Sequence, residues 1–244
     1  MNINDLQIVI IKNLKNYWSD PDIRTLFSNI VDIKLAAYGN VYGDNVISLD
    51  KADYFGTHLI VCKKGIRLKP LFSYKSVTLN ECEKFLMEFP GISLLKSDGH
   101  EEALGFLIDI LKSCKANNKN VSFDYSWAQD PSIKELRSID TKVLFQDIAM
   151  LMAVNHMKDY GIDKMITCGV LKVKTDLFFK KLGLTPLSKF SQFNQTSING
   201  DLVEMFHSEK FSSYALEASK KYQSLWENKI IIGDDDKDSF KLVA

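Results

Sequence analysis

A chain of 244 residues with 45% hydrophobic and 25% charged side chains has the balance of a globular protein with a real core, as one large domain or one domain with an appended subdomain. Its 31 basic and 31 acidic residues cancel, so nucleic acid, which selects for a basic excess, is not an expected partner. No apolar run reaches the ~18 residues of a membrane span, and Met1–Asn13 carries Asp5 and too short an apolar core for a signal peptide; a cytoplasmic protein with no membrane partner is the expectation.

Cys62, Cys82, Cys114 and Cys168 are scattered, with no C-x-x-C spacing. His58, His100, His156 and His207 are equally dispersed. Neither set suggests a disulfide framework or a metal site, and reduced thiols are expected.

In chain order, Leu6–Asn13 is a short β-branched run and predicts a strand. Pro21 can open a helix to about Ala37, with Ile23, Leu26, Phe27, Ile30 and Ile33 at helical spacing. Two strands, 57–63 and 66–77, are expected around Lys64–Gly65. A helical insertion covers about 79–116: one helix ends at Pro90–Gly91, and a second carries Leu104, Leu107, Ile108 and Leu111. Val121–Trp127 alternates and predicts a strand, as does Ile133–Ile139. A helix over 141–160 stops at Gly161, a buried strand follows at 164–170, and a helix at 174–182 stops at Gly183. Asn199–Gly200 is the strongest hairpin signal. A last helix spans 213–228, and residues 229–244 read as an acidic tail beyond a single domain, 1–228. This order gives an α+β (mixed α/β) chain around a central twisted mixed sheet flanked by helices.

Over Glu135–Leu184 the order strand, long helix, strand, short helix ends in Phe178-Phe179-Lys180-Lys181-Leu182-Gly183-Leu184. That ending, in that place, resembles the F-Y-x-K-L-G-F pattern of the GNAT superfamily of N-acyltransferases. Two further patches, Leu49–Gly65 with Asp50 and Asp53, and Glu135-Leu136-Arg137, resemble the D-x-x-D and E-L-x-R segments of acyl-homoserine lactone (autoinducer) synthases and N-acyl amino acid synthases. The resemblance implies a transferase that moves an acyl group from a thioester of coenzyme A or acyl carrier protein to a small-molecule amine. Carrier phosphates would meet the N-terminus of helix 141–160, at Arg137, Ile139, Asp140, Thr141, Lys142, Val143 and Lys172. Asp50 and Asp53 would hold the amine. Glu135 would accept the amine proton.

The chain departs from the family pattern at two points. The phosphate loop lacks the glycines whose backbone N–H groups close around phosphate, and Asp140 would place an anion there, or cap the helix itself. Either the carrier is held differently, or it is not coenzyme A, or the site is dead. Phe179 stands where many members have the tyrosine that protonates the leaving thiolate, and a phenyl ring donates no proton.

Each of these residues also has a structural reading. Arg137 and Glu135 alternate onto one strand face and can pair with each other. Asp50 and Asp53 can be caps. Tyr125 and Trp127, alternating with Phe123, can be core or line an acyl channel. His58 reads as structural and Cys168 as inert packing. The reading is an acyltransferase that uses direct attack; the alternative is a catalytically degenerate ligand-binding or regulatory protein on the same fold.

Overall fold

The computed structural model describes residues 2–43, 46, 49–135 and 139–233. β1 (Leu6–Lys12) leads through a 3₁₀ turn to α1 (Pro21–Tyr42). Asp20 caps α1 by accepting from the Asp22 and Ile23 N–H groups, and Pro21 supplies a first-turn φ that suits a helix. After α2 (Ala52–Phe55) come β2 (Thr57–Lys63) and β3 (Lys69–Thr78). The insertion holds three helices, α3 (Leu79–Lys84), α4 (Pro90–Asp98) and α5 (Glu101–Ala116). Pro90, expected to end a helix, starts α4 instead, which is where proline is best tolerated.

β4 (Val121–Gln129) is followed by α6 (Pro131–Glu135) and α7 (Ile139–Asp159). The strand expected over 133–139 is therefore corrected: its start is helical, and residues 136–138 lie outside the described residues. Asp130 and Pro131 explain the difference. The Asp130 carboxylate accepts from the Ser132 N–H at 2.9 Å, so the pair nucleates a helical turn that outweighs the alternation of Ile133-Lys134-Glu135-Leu136. The strand that precedes the long helix is β4.

β5 (Lys164–Val170), α8 (Thr175–Leu182), β6 (Thr185–Pro186), β7 (Gln192–Gln195) and β8 (Asp201–His207) follow, then α9 (Ser213–Lys221), α10 (Gln223–Glu227) and β9 (Ile230–Ile232). The nine strands make a mixed sheet flanked by helices. β9 falls where a tail was expected, and residues 234–244 lie outside the described residues.

The chain divides into two compact units. The first contains residues 1–76, 126–145 and 222–244. Within it β2 pairs antiparallel with both β1 and β3, and β9 pairs parallel with β1. α1 lays Ile23, Leu26, Phe27 and Ile30 against Val9, Ile11, Ile60 and Cys62. The i, i+3, i+4, i+7 spacing of one helix face meets the period-two face of two strands. The second unit contains residues 77–125 and 146–221. Here β4 pairs parallel with β5, and β5, β6 and β7 all pair antiparallel with β8. Six consecutive residues of α7, Ile148–Ala153, are buried, so that stretch is enclosed around its whole circumference.

Candidate functional site

The first unit contains a buried charge cluster. His58 on β2 and Lys75 on β3 are directly opposite in the antiparallel ladder, so their side chains share a sheet face. Lys34 comes from α1 and Asp53 from α2. Asp53 and Lys75 are fully buried and Lys34 is 3% exposed. Lys34 Nζ donates to Asp53 Oδ1 at 2.9 Å, Lys75 Nζ to Asp53 Oδ2 at 2.5 Å, and the Asp50 N–H to Asp53 Oδ2 at 2.8 Å. Lys75 Nζ also reaches Asp50 Oδ1 at 2.9 Å. Two cations thus face two anions, as burial of charge requires.

Burial alone would raise the Asp53 carboxyl, but the Lys34 and Lys75 ammoniums outweigh it and hold the group below the usual carboxylate range. Burial lowers the Lys34 ammonium against the pull of Asp53. His58 is fully buried, and its Nε2–H donates to the Asp53 carbonyl at 2.7 Å. Burial, with Lys34 nearby, pushes its pKa down to about 4, so it is a neutral structural histidine. Of the two aspartates expected to hold an amine, Asp53 is therefore saturated from within. Asp50, whose side chain is 47% exposed, is the member of the cluster that faces solvent.

Lys34 and Lys75 are not among the residues that sequence reasoning selects, although a signal exists. Lys34 lies on the buried stripe of α1, four residues after Ile30, and Lys75 sits between Ser73 and Val77 on a strand of buried positions. A cation at an apolar register position implies a buried partner.

In the second unit the parallel ladder of β4 and β5 runs from Val121↔Lys164 to Asp124↔Thr167 and ends there. The Thr167 hydroxyl donates to the Asp124 carbonyl at 2.6 Å at this last step. Two residues further along β4, where the chain passes into the first unit, Ser126 has φ +58°. A non-glycine residue in the left-handed region in mid-strand breaks the pleat, re-aims the strand and stores strain. The alternation expected of the strand nevertheless continues past it, with Tyr125 and Trp127 half-buried and Ser126 and Ala128 buried. Phe123 is buried and 5.1 Å from the Tyr125 ring, with Tyr125 half-buried. Trp127 stacks on Tyr74 at 3.9 Å, 9° from parallel.

α8 is pressed against β5. A Cβ at Gly169 would stand 2.7 Å from the Asp176 backbone nitrogen and 3.0 Å from Phe179 Cδ2. Phe179, 1% exposed, packs on Phe178 and Phe206. Gly183 ends α8 at φ +105°, where a Cβ would meet the Ser212 nitrogen at 2.4 Å. Lys180 pairs with Glu204 at 2.7 Å. Burial raises the Cys168 thiol, with Glu204 adding to the effect, so the thiolate is disfavoured.

α7 begins at Ile139. In its first turn Thr141 is buried, Val143 is 39% exposed, and Asp140 and Lys142 are exposed. Lys172 pairs with Asp201 at 2.9 Å, which ties it to the start of β8. Glu135 closes α6 and Ile139 opens α7, their side chains outside the description, and Arg137 lies outside the described residues. Among the described residues no group of His, Cys, Asp and Glu is arranged to hold a metal ion, and no helix is long and apolar enough to cross a membrane.

No protein-family model matches the chain, and no curated protein matches its sequence. Solved structures do match. The AHL synthase LasI superposes with a TM-score of 0.50 at 10% identity, over 94% of this chain and 98% of that one. FeeM, an N-acyl amino acid synthase from uncultured soil microbes, matches at 0.43 and 12%, over 83% and 90%. A Drosophila melanogaster polyamine N-acetyltransferase matches at 0.47 and 12%, over 83% and 99%. The likeness to LasI shows the fold: the chain has the mixed α/β architecture of that AHL synthase, a nine-stranded mixed sheet flanked by helices.

Proposed function

We propose that this protein is an N-acyltransferase that moves an acyl group from a thioester carrier, coenzyme A or acyl carrier protein, to an amine. The observation that carries the reading is the end of the β4–β5 ladder while β4 itself continues to Gln129. The parallel ladder ends at Asp124↔Thr167, and two residues on Ser126 takes a left-handed φ of +58°. A backbone N–H of β4 past that point would polarise the thioester carbonyl as the oxyanion develops. This is the role sequence reasoning gave to the strand over 133–139. The first turn of α7, Ile139 to Val143, would meet the carrier phosphates with its dipole and backbone N–H groups, with Arg137 and Lys142 as the nearby cations of the sequence.

The amine attacks the carbonyl directly, and the carbon–sulfur bond breaks to release the carrier as its thiolate, which solvent then protonates. Three of the four cysteines, Cys62, Cys114 and Cys168, have thiols raised by burial, which disfavours a covalent thioester on the enzyme. Asp50 is the proposed contact for the amine, with Asp53 holding it through Lys75. Glu135 is the proposed base. The leaving thiolate departs without a proton from position 179. General acid help is typically worth only about 10²–10⁴ in rate, and placement of amine against thioester supplies much of the rest.

A second reading, a ligand-binding protein without turnover, is favoured by Phe179 and by the absence of glycine around the start of α7. One experiment separates the two. The protein is incubated with acetyl, long-chain acyl and carrier-protein thioesters and an amine pool, and N-acyl products are followed by mass. Product formation supports the enzyme. A thermal shift with a thioester but no product supports the binder, and neither signal removes both.

A further inference from the structure

The turn that joins β2 to β3 reads Lys63-Lys64-Gly65-Ile66-Arg67-Leu68-Lys69, four cations and no acid in seven residues. Lys69 pairs with Asp130 at 3.2 Å, and Asp5 stands at the foot of the loop, where its carbonyl accepts from the Lys64 N–H at 2.7 Å. Lys63, Lys64 and Arg67 are exposed. At the apex Ile66 is 89% exposed. Two residues later Leu68 is 9% exposed, seated in the core with Val9, Ile11 and Cys62. The loop is thus held at three places: Lys63 faces Lys69 in the ladder, the Lys64 N–H bonds the chain before β1, and Leu68 pins the returning strand. The firm anchorage presents an isoleucine outward inside a collar of positive charge.

We propose that this turn is a peripheral docking point for an anionic lipid surface. Ile66 would enter the boundary between headgroups and acyl chains, and Lys63, Lys64 and Arg67 would meet lipid phosphates. An apolar tip within a cationic collar fits both layers of a bilayer face at once. An acidic protein surface would satisfy the cations but leave the isoleucine in need of a pocket. With one apolar residue and a few cations the contact is weak and reversible, not an anchor. The proposal does not depend on acyl transfer.

Co-sedimentation of the full chain with vesicles tests it. Vesicles of phosphatidylcholine with phosphatidylglycerol should retain the protein at low salt and release it at high salt, and vesicles of phosphatidylcholine alone should not retain it. The double variant Lys64→Gln/Arg67→Gln should bind about thirtyfold more weakly, at roughly fivefold per cation. Ile66→Ser should bind about tenfold more weakly or worse. All three residues are exposed, so melting temperatures should match the parent. The proposal is overturned if the parent ignores anionic vesicles, if both variants bind as the parent does, or if the turn proves to bind an acidic carrier protein while vesicles are ignored. Since no acyl donor is present, failure here leaves the acyltransferase reading standing, and loss of that reading leaves this one.

Discussion

Asp53 illustrates how one side chain can fix several elements. Its carboxylate accepts hydrogen bonds from α1 through Lys34, from β3 through Lys75, and from the turn before α2 through the Asp50 N–H. Asp53→Asn removes the charge but not the shape, and leaves two buried lysines facing only half-exposed Asp50. The expected loss is about 3–5 kcal/mol, the usual size for a broken buried ion pair. Asp50→Asn, at a side chain 47% exposed, should cost about 1 kcal/mol or less. Urea unfolding of the two variants checks the contrast, and equal losses would show that the cluster is not what holds the unit together. Phe179 poses a different problem. At 1% exposure, a tyrosine there must bury a hydroxyl. Phe179→Tyr should lose about 1–3 kcal/mol unless the oxygen finds a partner. A variant that keeps full stability in urea would mean a buried acceptor is already aimed at the para position, where a general acid would stand.

Between elements, backbone approach decides more than side-chain chemistry. β5 and α8 touch at Gly169, where the space for a Cβ is filled by the Asp176 backbone at 2.7 Å and 2.8 Å. Gly169→Ala forces the helix off the strand and should cost about 1–3 kcal/mol, which thermal unfolding would register; a neutral alanine would contradict the close approach. The same logic accounts for what the sequence revealed of these elements. Leu182 and Gly183 could be read because each has a one-residue cause, an apolar helix position and a left-handed stop, whereas Phe179, read only for the tyrosine it replaces, is itself core. Lys164–Val170 was legible because β-branched and apolar residues fill it. The 133–139 segment misled because alternation over so few residues is compatible with a helix turn, and a capping aspartate followed by proline settles the choice locally. Three short residues of β-branched isoleucine, Ile230–Ile232, gave no sign of β9, because such a strand exists only through its pairing with β1. Ser126 was hidden for a related reason: serine has no preference for φ +58°, and tertiary structure imposes it.

For the molecule as a whole, the buried histidine links folding to pH. His58 is held neutral, its pKa near 4 against 6.5 when exposed, first by burial and then by Lys34. Between these two values the unfolded chain binds a proton that the folded chain refuses, so stability rises with pH across the window and falls on acidification through it. Above about 6.5 both states are neutral at this residue, and below about 4 both are charged, so the slope vanishes on either side. A difference of this size corresponds to about 3 kcal/mol. The Asp53 carboxyl, depressed in the fold, gives stability that is present above the ordinary carboxylate range and lost below it, so its window lies at lower pH than that of His58. His207, lowered by burial and then by Lys164, acts in the same direction as His58, and the two must be separated by substitution. Urea midpoints of the parent and of His58→Gln from pH 4 to pH 7 provide the separation. The parent should lose stability steadily as the pH falls, and the variant should lose about 3 kcal/mol less over the same range, whatever its stability at neutral pH. Parallel curves would mean that His58 titrates alike in both states, and that a protonated imidazolium is tolerated beside Lys34 and Lys75.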